Sequence, residues 1–551
     1  MKRAALLLGL ALAGCPKRTG TERPAVVVIA MRIRTGDPAN PIAQAMALRD
    51  GRIIKVGSRE AVLEAAGPGA IIDEFPTGVV VPGLVDAHGH LMGLGLALSV
   101  VSLYDANDET DAVRRIKGAG PSAKQGDWII ADGWDQNDWP SKDFPTRWSL
   151  DGELERVPVF AKRVDGHAAW VSGEALKRAK ITKDTKDPPG GRIVRDKVGE
   201  PTGVLIDNAM ELVASKIPPP SEEQLKLRLK AAIEACARVG LTGMHDAGQD
   251  LAVFEQLQRW DAGGALPIRI YSMARGNGDE RDLFLGRGVF KGKHLTLRAV
   301  KLVADGALGS RGAALFEPYA DEPGQTGLML LRRDLLEQRA EAFASAGFQV
   351  AVHAIGDKAN AEVLDILEKL PRQGRHRVEH AQVLREQDLG RFAKSGIIAS
   401  LQPTHATSDM PWVDTRIGAT RSKYSYAWRS LLDAKAPYAF GSDFPVERPD
   451  PLLGIYAART RQDPKGQPPG GWHPEQKVTA EEALDGFTKG AAYAEFAEDR
   501  RGVLREGFDA DFVVLSVDPV EDPPEALLTA KVLVTAVDGV DVWRDASVRA
   551  P

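Results

Sequence analysis

The chain of 551 residues has only two cysteines, Cys15 and Cys236. A scaffold stapled by several disulfides is therefore excluded. It also lacks a basic excess: 71 Lys and Arg against 76 Asp and Glu leave a formal net charge of −5. Nothing is in surplus to neutralise nucleic-acid phosphates, and nucleic acid is not an expected partner. Aromatics are few, at 6%, while 55 glycines suit the tight strand-to-helix turns of an α/β protein better than a β-sandwich alone. No self-similarity at a period of about 20–50 residues is present, which excludes a solenoid. The Gly-rich GALGSRG at 306–312 has neither GxGxxG spacing nor a Walker lysine, so it is not a phosphate cradle. No G-x-S-x-G elbow occurs, which weighs against a serine hydrolase.

What is present begins with an unusual N-terminus. MKRAALLLGLALAGC has a basic start at Lys2 and Arg3, an apolar run over 4–13, and small residues leading to Cys15. That is the layout of an export signal, and the run is too short for a permanent span of about 20 residues. Leu12-Ala13-Gly14-Cys15 resembles a bacterial lipobox, which predicts lipidation of Cys15. The expectation is a cell-envelope lipoprotein, membrane-anchored through Cys15, with residues 16–24 as a tether. Cys236, in the helical pattern LKAAIEACARVG, reads as a buried small hydrophobe.

Short β-like runs follow at 25–30, 45–58 and 71–75, and the far C-terminus has the same texture at 509–516 and 531–545. Two such ends predict one composite β-sandwich domain from 25–82 plus 500–551. Between them, apolar runs ending in polar residues recur eight times: at 84–90, 241–248, 266–274, 297–306, 349–357, 376–382, 397–405 and 438–445. Helical stretches such as 332–347 and 384–396 intervene, each closed by a glycine. The pattern predicts a (β/α)8 TIM-like barrel over 83–499, although an open doubly wound sheet looks locally alike. The interval from His90 to Leu241 is too long for one crossover and predicts an insertion at about 125–220.

Histidines and acids gather at the predicted strand ends. His88 and His90 close the first strand, Lys301 lies in the fourth, His353 in the fifth, His380 in the sixth and Asp443 in the eighth. A barrel brings such positions together on its carboxyl-end face. Imidazoles with a carboxylate suit a divalent ion such as zinc, which polarises carbonyls and acidifies a bound water. Lys301, between Val300 and Leu302, admits three readings: a salt bridge to Asp305, snorkelling to the strand end, or a carbamate that bridges two metals.

Asp86-Ala87-His88-Gly89-His90, Lys301 with the following ADGALGSRGAALFEPY, Val352–Asp357, Arg377–Gln382 and Gly441–Pro445 together resemble the amidohydrolase superfamily. Within it they are similar to the amidohydrolase-3 branch, which includes YtcJ-type proteins and N-substituted formamide deformylases. The resemblance runs from about residue 25 to about 545. It implies a metal-dependent hydrolase of non-peptide C–N bonds acting on a small molecule. It further implies that His88, His90 and Asp443 hold one ion, His353 and His380 a second, and carboxylated Lys301 bridges them. Asp443 is the implied general acid-base; a one-metal, deaminase-like version stays open, as does a non-catalytic exported binding or regulatory protein, and the chain could be an oligomer. The segment from Asp165 to Val171 also resembles a family segment, so His167 is expected to touch substrate, although Ser172 stands where the family commonly has Asn. Trp134 and Trp139 are expected at the pocket mouth or in packing, and His405 and His245 at strand ends near the pocket. His294, His376 and His473 are expected to be structural or on the surface.

Overall fold

The computed structural model describes residues 23–119, 128–154, 156–164 and 166–551. The expected leader, Cys15 and most of the tether lie outside the described residues. Eight parallel strands form the central sheet: Leu84–Gly89, Leu241–Gln249, Arg269–Arg275, Leu295–Val303, Gln349–Ala354, Arg377–His380, Ile398–Leu401 and Tyr438–Phe440. These are the eight runs expected from sequence, in the same order. Neighbours pair in parallel register throughout, and a short strand, Phe290–Lys291, adds antiparallel to the fourth. The first and eighth strands meet through a parallel bridge between Gly89 and Phe444, which nearly closes the barrel. Gly89 is required there, because a Cβ would sit 2.4 Å from the Phe444 ring.

The helices follow from local sequence signals. Ser221 and Gln224 make a reciprocal capping box that starts the helix Glu222–Arg238. Its buried face, Leu229, Ala232, Ile233 and Cys236, repeats at helical spacing and packs on the barrel. Cys236 is thus the expected buried hydrophobe, and burial pushes its thiol well above the ordinary value.

Strands from both chain ends form one continuous seven-stranded sheet: Val26–Arg34, Ile42–Arg49, Arg52–Gly57 and Ile71–Pro82 from the N-terminal side, Phe512–Leu515, Val532–Val537 and Val540–Arg544 from the C-terminal side. Successive residues of Val26–Arg34 face opposite ways. Val28, Ala30 and Ile33 join a cluster with Met46, Phe512 and Val534, while Val27 and Ile29 pack with Val62 and Ala66 of the helix Arg59–Ala66. The first cluster takes side chains from both ends of the sheet, so the sheet folds over on itself, and an Arg52–Asp509 bridge joins its edge to the C-terminal segment. Arg269, at the amino end of the third barrel strand, ties this sheet to the barrel by ion pairs to Asp511 and Asp538, both at 2.5 Å.

The insertion forms its own six-stranded sheet. Its first strand is Val101–Ser102, so it begins earlier than the expected residue 125. A two-residue strand is too short to leave an alternating pattern in sequence.

Candidate metal centre and active-site cavity

The carboxyl ends of the barrel strands carry the predicted residues, and tight local contacts aim them. The Asp86 carboxylate accepts from the backbone N–H of His88 and Ser442 and from the Ser442 hydroxyl, which locks the first strand to the segment after the eighth. Asp443 N–H donates to His88 O at 2.7 Å, and His90 N–H donates to Phe444 O at 2.8 Å. Burial pushes the Asp86 carboxyl up to about 7 against these hydrogen bonds. His380 and Asp443 both adopt left-handed backbone angles, with φ of 75° and 61°. Non-glycine residues rarely do so, and such strain collects where a side chain must be aimed.

His88, His90, Lys301, His353, His380 and Asp443 converge. His90 Nε2 lies 3.0 Å from Asp443 Oδ1, and His88 Nε2 lies 3.5 Å from the same oxygen. Lys301 Nζ is 3.0 Å from His88 Nε2, with the lysine 6% exposed. The expected alternative of a Lys301–Asp305 salt bridge does not form. Asp305 instead accepts from the backbone of Ala314, Ile355 and Gly356. Lys301 therefore points into the barrel rather than along the strand end. The rings of His353 and His380 stand 4.6 Å apart, centroid to centroid.

His88, His353 and His380 are held neutral. Burial, aided by the Lys301 charge, lowers His88 to about 4 and His353 to about 3, and burial also lowers His380. Lone pairs are therefore available at neutral pH. Burial works to raise the Asp443 carboxyl, but the hydrogen bond with His90 and the surrounding imidazoles outweigh it and hold the group ionised.

Two groups have one ligand atom per residue, all within 4.8 Å of one another: His88, His90, Asp443 and His380, His405, Asp443. Asp443 is common to both. His405, expected only as a pocket residue, belongs to the second group, where its Nε2 lies 3.6 Å from Asp443 Oδ2. His353 is outside that group, its Nε2 at 3.5 Å from Asp305 Oδ1. Buried His353 Nε2 and His405 Nε2 have no hydrogen-bond partner. Orphaned imidazole nitrogens beside an ionised carboxylate suit a divalent cation, and the residues present fit one.

Sequence reasoning passed over the residues behind this set. Glu379, fully buried, meets His88 Nδ1 on one side and the Arg377 guanidinium on the other, with Arg377 Nε 2.7 Å from Oε1. Arg377, His88 and Lys301 outweigh the burial of Glu379 and keep it charged. Gln402 Oε1 lies 2.8 Å from His380 Nδ1. Such partners fix ring orientation and leave the opposite nitrogen for the ion. The signal that could have found them is their position: Glu379 adjoins His380 and Gln402 directly follows the seventh strand.

A cavity of about 440 Å3 opens on the set, lined by His90, Lys301, His353, His380, His405 and Asp443 among others. That volume suits a small molecule. A model of the amidohydrolase family matches residues 78–542. The chain belongs to the amidohydrolase family. YtcJ of Bacillus subtilis, assigned as an amidohydrolase, is 36% identical over 510 residues, 91% of this chain and 96% of its own. The N-substituted formamide deformylase of Arthrobacter pascens is 28% identical over 538 residues, covering 94% of this chain and 98% of that enzyme. A metal-dependent hydrolase of Pyrococcus furiosus superposes with a TM-score of 0.77 at 27% identity, over 90% of this chain and 100% of that one. With the family comes the activity class: this amidohydrolase is a metal-dependent hydrolase of C–N bonds.

Four residues considered for substrate contact lie outside the cavity in this amidohydrolase. Trp134 is fully buried in the insertion, its Nε1–H donating to Ala161 O, packed against Trp139 and Trp170. It is core, not pocket mouth, because three indoles provide the insertion's apolar filling. His167 is exposed beside Asp207 at 2.9 Å and does not line the cavity. Ser172 caps the helix Gly173–Arg178 instead of reaching substrate. His245 is buried under Arg377 and Tyr271, outside the cavity. His294 bridges Leu266 O and Asp538, and His376 accepts from Val350 N–H, both structural as expected.

Proposed function

We propose that the chain hydrolyses small N-formyl or N-acyl amines, with two zinc ions as its cofactor. In this reading His88, His90 and Asp443 would hold one ion and His353 and His380 the other, and Lys301, as a carbamate, would supply a further anionic ligand. The observation that carries it is the Asp443 carboxylate, whose two oxygens face two different imidazole groups. Four or five imidazoles with one carboxylate form a donor set suited to zinc. Bound there, the ions supply Lewis acidity and a water able to lose a proton near neutral pH.

The residues do the rest. Asp443 takes a proton from the water that attacks the acyl carbon and returns it to the departing nitrogen, so that the amine leaves neutral. His405, beside Asp443 Oδ2, is placed to donate to the oxygen that gains charge as the carbonyl becomes tetrahedral. Lys301, desolvated beside His88, has an amine whose proton affinity burial lowers, which favours reaction with CO2. The similarity to a formamide deformylase supports the choice of acyl group.

The test is release of amine from a panel of N-formyl and N-acetyl alkylamines by zinc-reconstituted protein. Two zinc ions per chain with no turnover across the panel would overturn the substrate class. One ion per chain with unmodified Lys301, in bicarbonate, would replace the two-ion site with a one-ion site. A chain whose Asp443→Asn variant keeps the full cellular effect would be a binding protein instead. We also propose export and anchoring through Cys15, supported by the leader sequence; a Cys15→Ser chain that still fractionates with membranes refutes it.

A further inference from the structure

The catalytic cavity has a second wall that the hydrolytic set does not use. It is made by Asp409 and Trp412, from the helix Pro403–Ile417, and by Glu447, just after Asp443. Asp409 Oδ2 accepts from the Tyr426 hydroxyl at 2.5 Å, and Glu447 Oε1 accepts from the Ser408 hydroxyl at 2.5 Å. Both carboxylates are therefore fixed in place by neutral donors. Neither has an ion pair among the described residues, and Lys301 is the only Lys or Arg lining the cavity. Arg416, on the same helix, pairs with Asp321 at 2.8 Å and lies over one face of the Trp412 indole, 5.5 Å from its centroid, without pairing with Asp409 or Glu447. Some partly buried acids elsewhere are matched by arginine, as Glu482 is by Arg429 and Asp388 by Arg385, whereas Asp86 and Asp305 are satisfied by backbone and hydroxyl donors. Asp409 and Glu447 belong to the second kind, with no lysine or arginine against them among the described residues.

We propose that Asp409, Glu447 and Trp412 form a receptor for a cationic group on the substrate. The preferred substrates are then amides of diamines or of other amines that carry a second, positively charged nitrogen. N-acyl amino acids, whose free carboxylate would face the two acids, are disfavoured. This rests on the reading of the cavity as an amide hydrolase site and narrows it. The physical case is direct. Two carboxylates in a partly enclosed cavity attract an ammonium and repel an anion, and an indole face adds attraction for a cation. The acids could instead serve to offset the charge of metal ions. That alternative predicts no preference for where a ligand carries its charge.

Binding separates these readings without any need for turnover. Zinc-reconstituted protein is titrated calorimetrically with pentane-1,5-diamine, n-pentylamine and 5-aminopentanoate, three ligands of one chain length. The proposal expects the diamine to bind at least tenfold tighter than pentylamine, and the aminopentanoate, whose ammonium can reach the acids, to exceed pentylamine as well. Asp409→Asn with Glu447→Gln should reduce the diamine advantage to less than threefold, and Trp412→Leu should reduce it in part. Glu447 is half-exposed, so E447Q alone carries the test if the double variant does not fold. Equal binding of the three ligands, or a diamine advantage that survives in E447Q and in the double variant, overturns the proposal. Amine release from neutral N-pentylformamide, measured in parallel, reports on the hydrolase reading alone. A protein that prefers the diamine yet cleaves no formamide keeps the receptor and loses that substrate class.

Discussion

Glu379→Gln probes the support behind the metal set. Glu379 Oε2 is met by His88 Nδ1 and by Arg377 Nη2, while Oε1 faces Arg377 Nε at 2.7 Å. All three are donors when His88 keeps its Nε2 free for a ligand. A glutamine of the same shape must turn its NH2 toward one side or the other, and either choice opposes donor to donor. The Arg377 guanidinium, itself fully buried, then loses the one carboxylate it meets among the described residues. Removing one partner of a buried ion pair costs about 3–5 kcal/mol. Against a typical total stability of about 5–15 kcal/mol, that is a large fraction. Metal affinity should fall by about 10–100-fold as well, because His88 loses the group that orients it. Urea unfolding of the metal-free protein reads the first effect, and competition with a zinc chelator reads the second. Pairing E379Q with Arg377→Met removes the uncompensated charge. It should restore part of the stability while zinc affinity stays low. An E379Q protein within about 0.5 kcal/mol of wild type that binds zinc equally well refutes the reasoning, since surface-like substitutions have effects of that size.

Two further outcomes follow from the geometry. A Cβ on Gly441 would lie 2.5 Å from His88 N and 2.6 Å from Asp86 Oδ1, so Gly441→Ala should destabilise by about 1–3 kcal/mol and weaken zinc binding, read by thermal melting with and without metal. Burial lowers His376 to about 4, and its Nδ1 accepts from Val350 N–H. The folded state thus binds this proton more weakly than the unfolded chain, whose histidine titrates near about 6.5. The contribution is complete above that pH and is lost as pH falls toward about 4, to a limit of about 3 kcal/mol. His376→Gln should flatten the dependence of the urea midpoint between about pH 6.5 and 4 relative to wild type; an unchanged slope refutes it.

The eight barrel strands are legible because each is a short apolar run that ends in a polar residue, and glycines punctuate the helices between them. The candidate ligand residues are legible for the same reason: they sit at those ends. His405 is the instructive exception. It starts the first turn of a helix after the seventh strand, and only the packed barrel shows it sharing Asp443 with His380. Glu379 and Gln402 were hidden because a residue that orients a ligand has no spacing of its own. The packing of Trp134 and the outward setting of His167 were not legible because both lie in the insertion. Its internal sheet, rather than any periodicity, decides which side chains turn inward. The cut between Val101 and the expected residue 125 was invisible for want of a strand long enough to alternate.

The bridge from Gly89 to Phe444 joins points 355 positions apart in sequence, and the shared carboxylate sits beside that seam. A nascent chain therefore carries His88 and His90 early in synthesis but has no Asp443 to complete them until most of its length has been made. The hydrolytic centre is in this sense a certificate of completion. A chain broken off before its last barrel strand retains most of the imidazoles and cannot assemble the centre they serve.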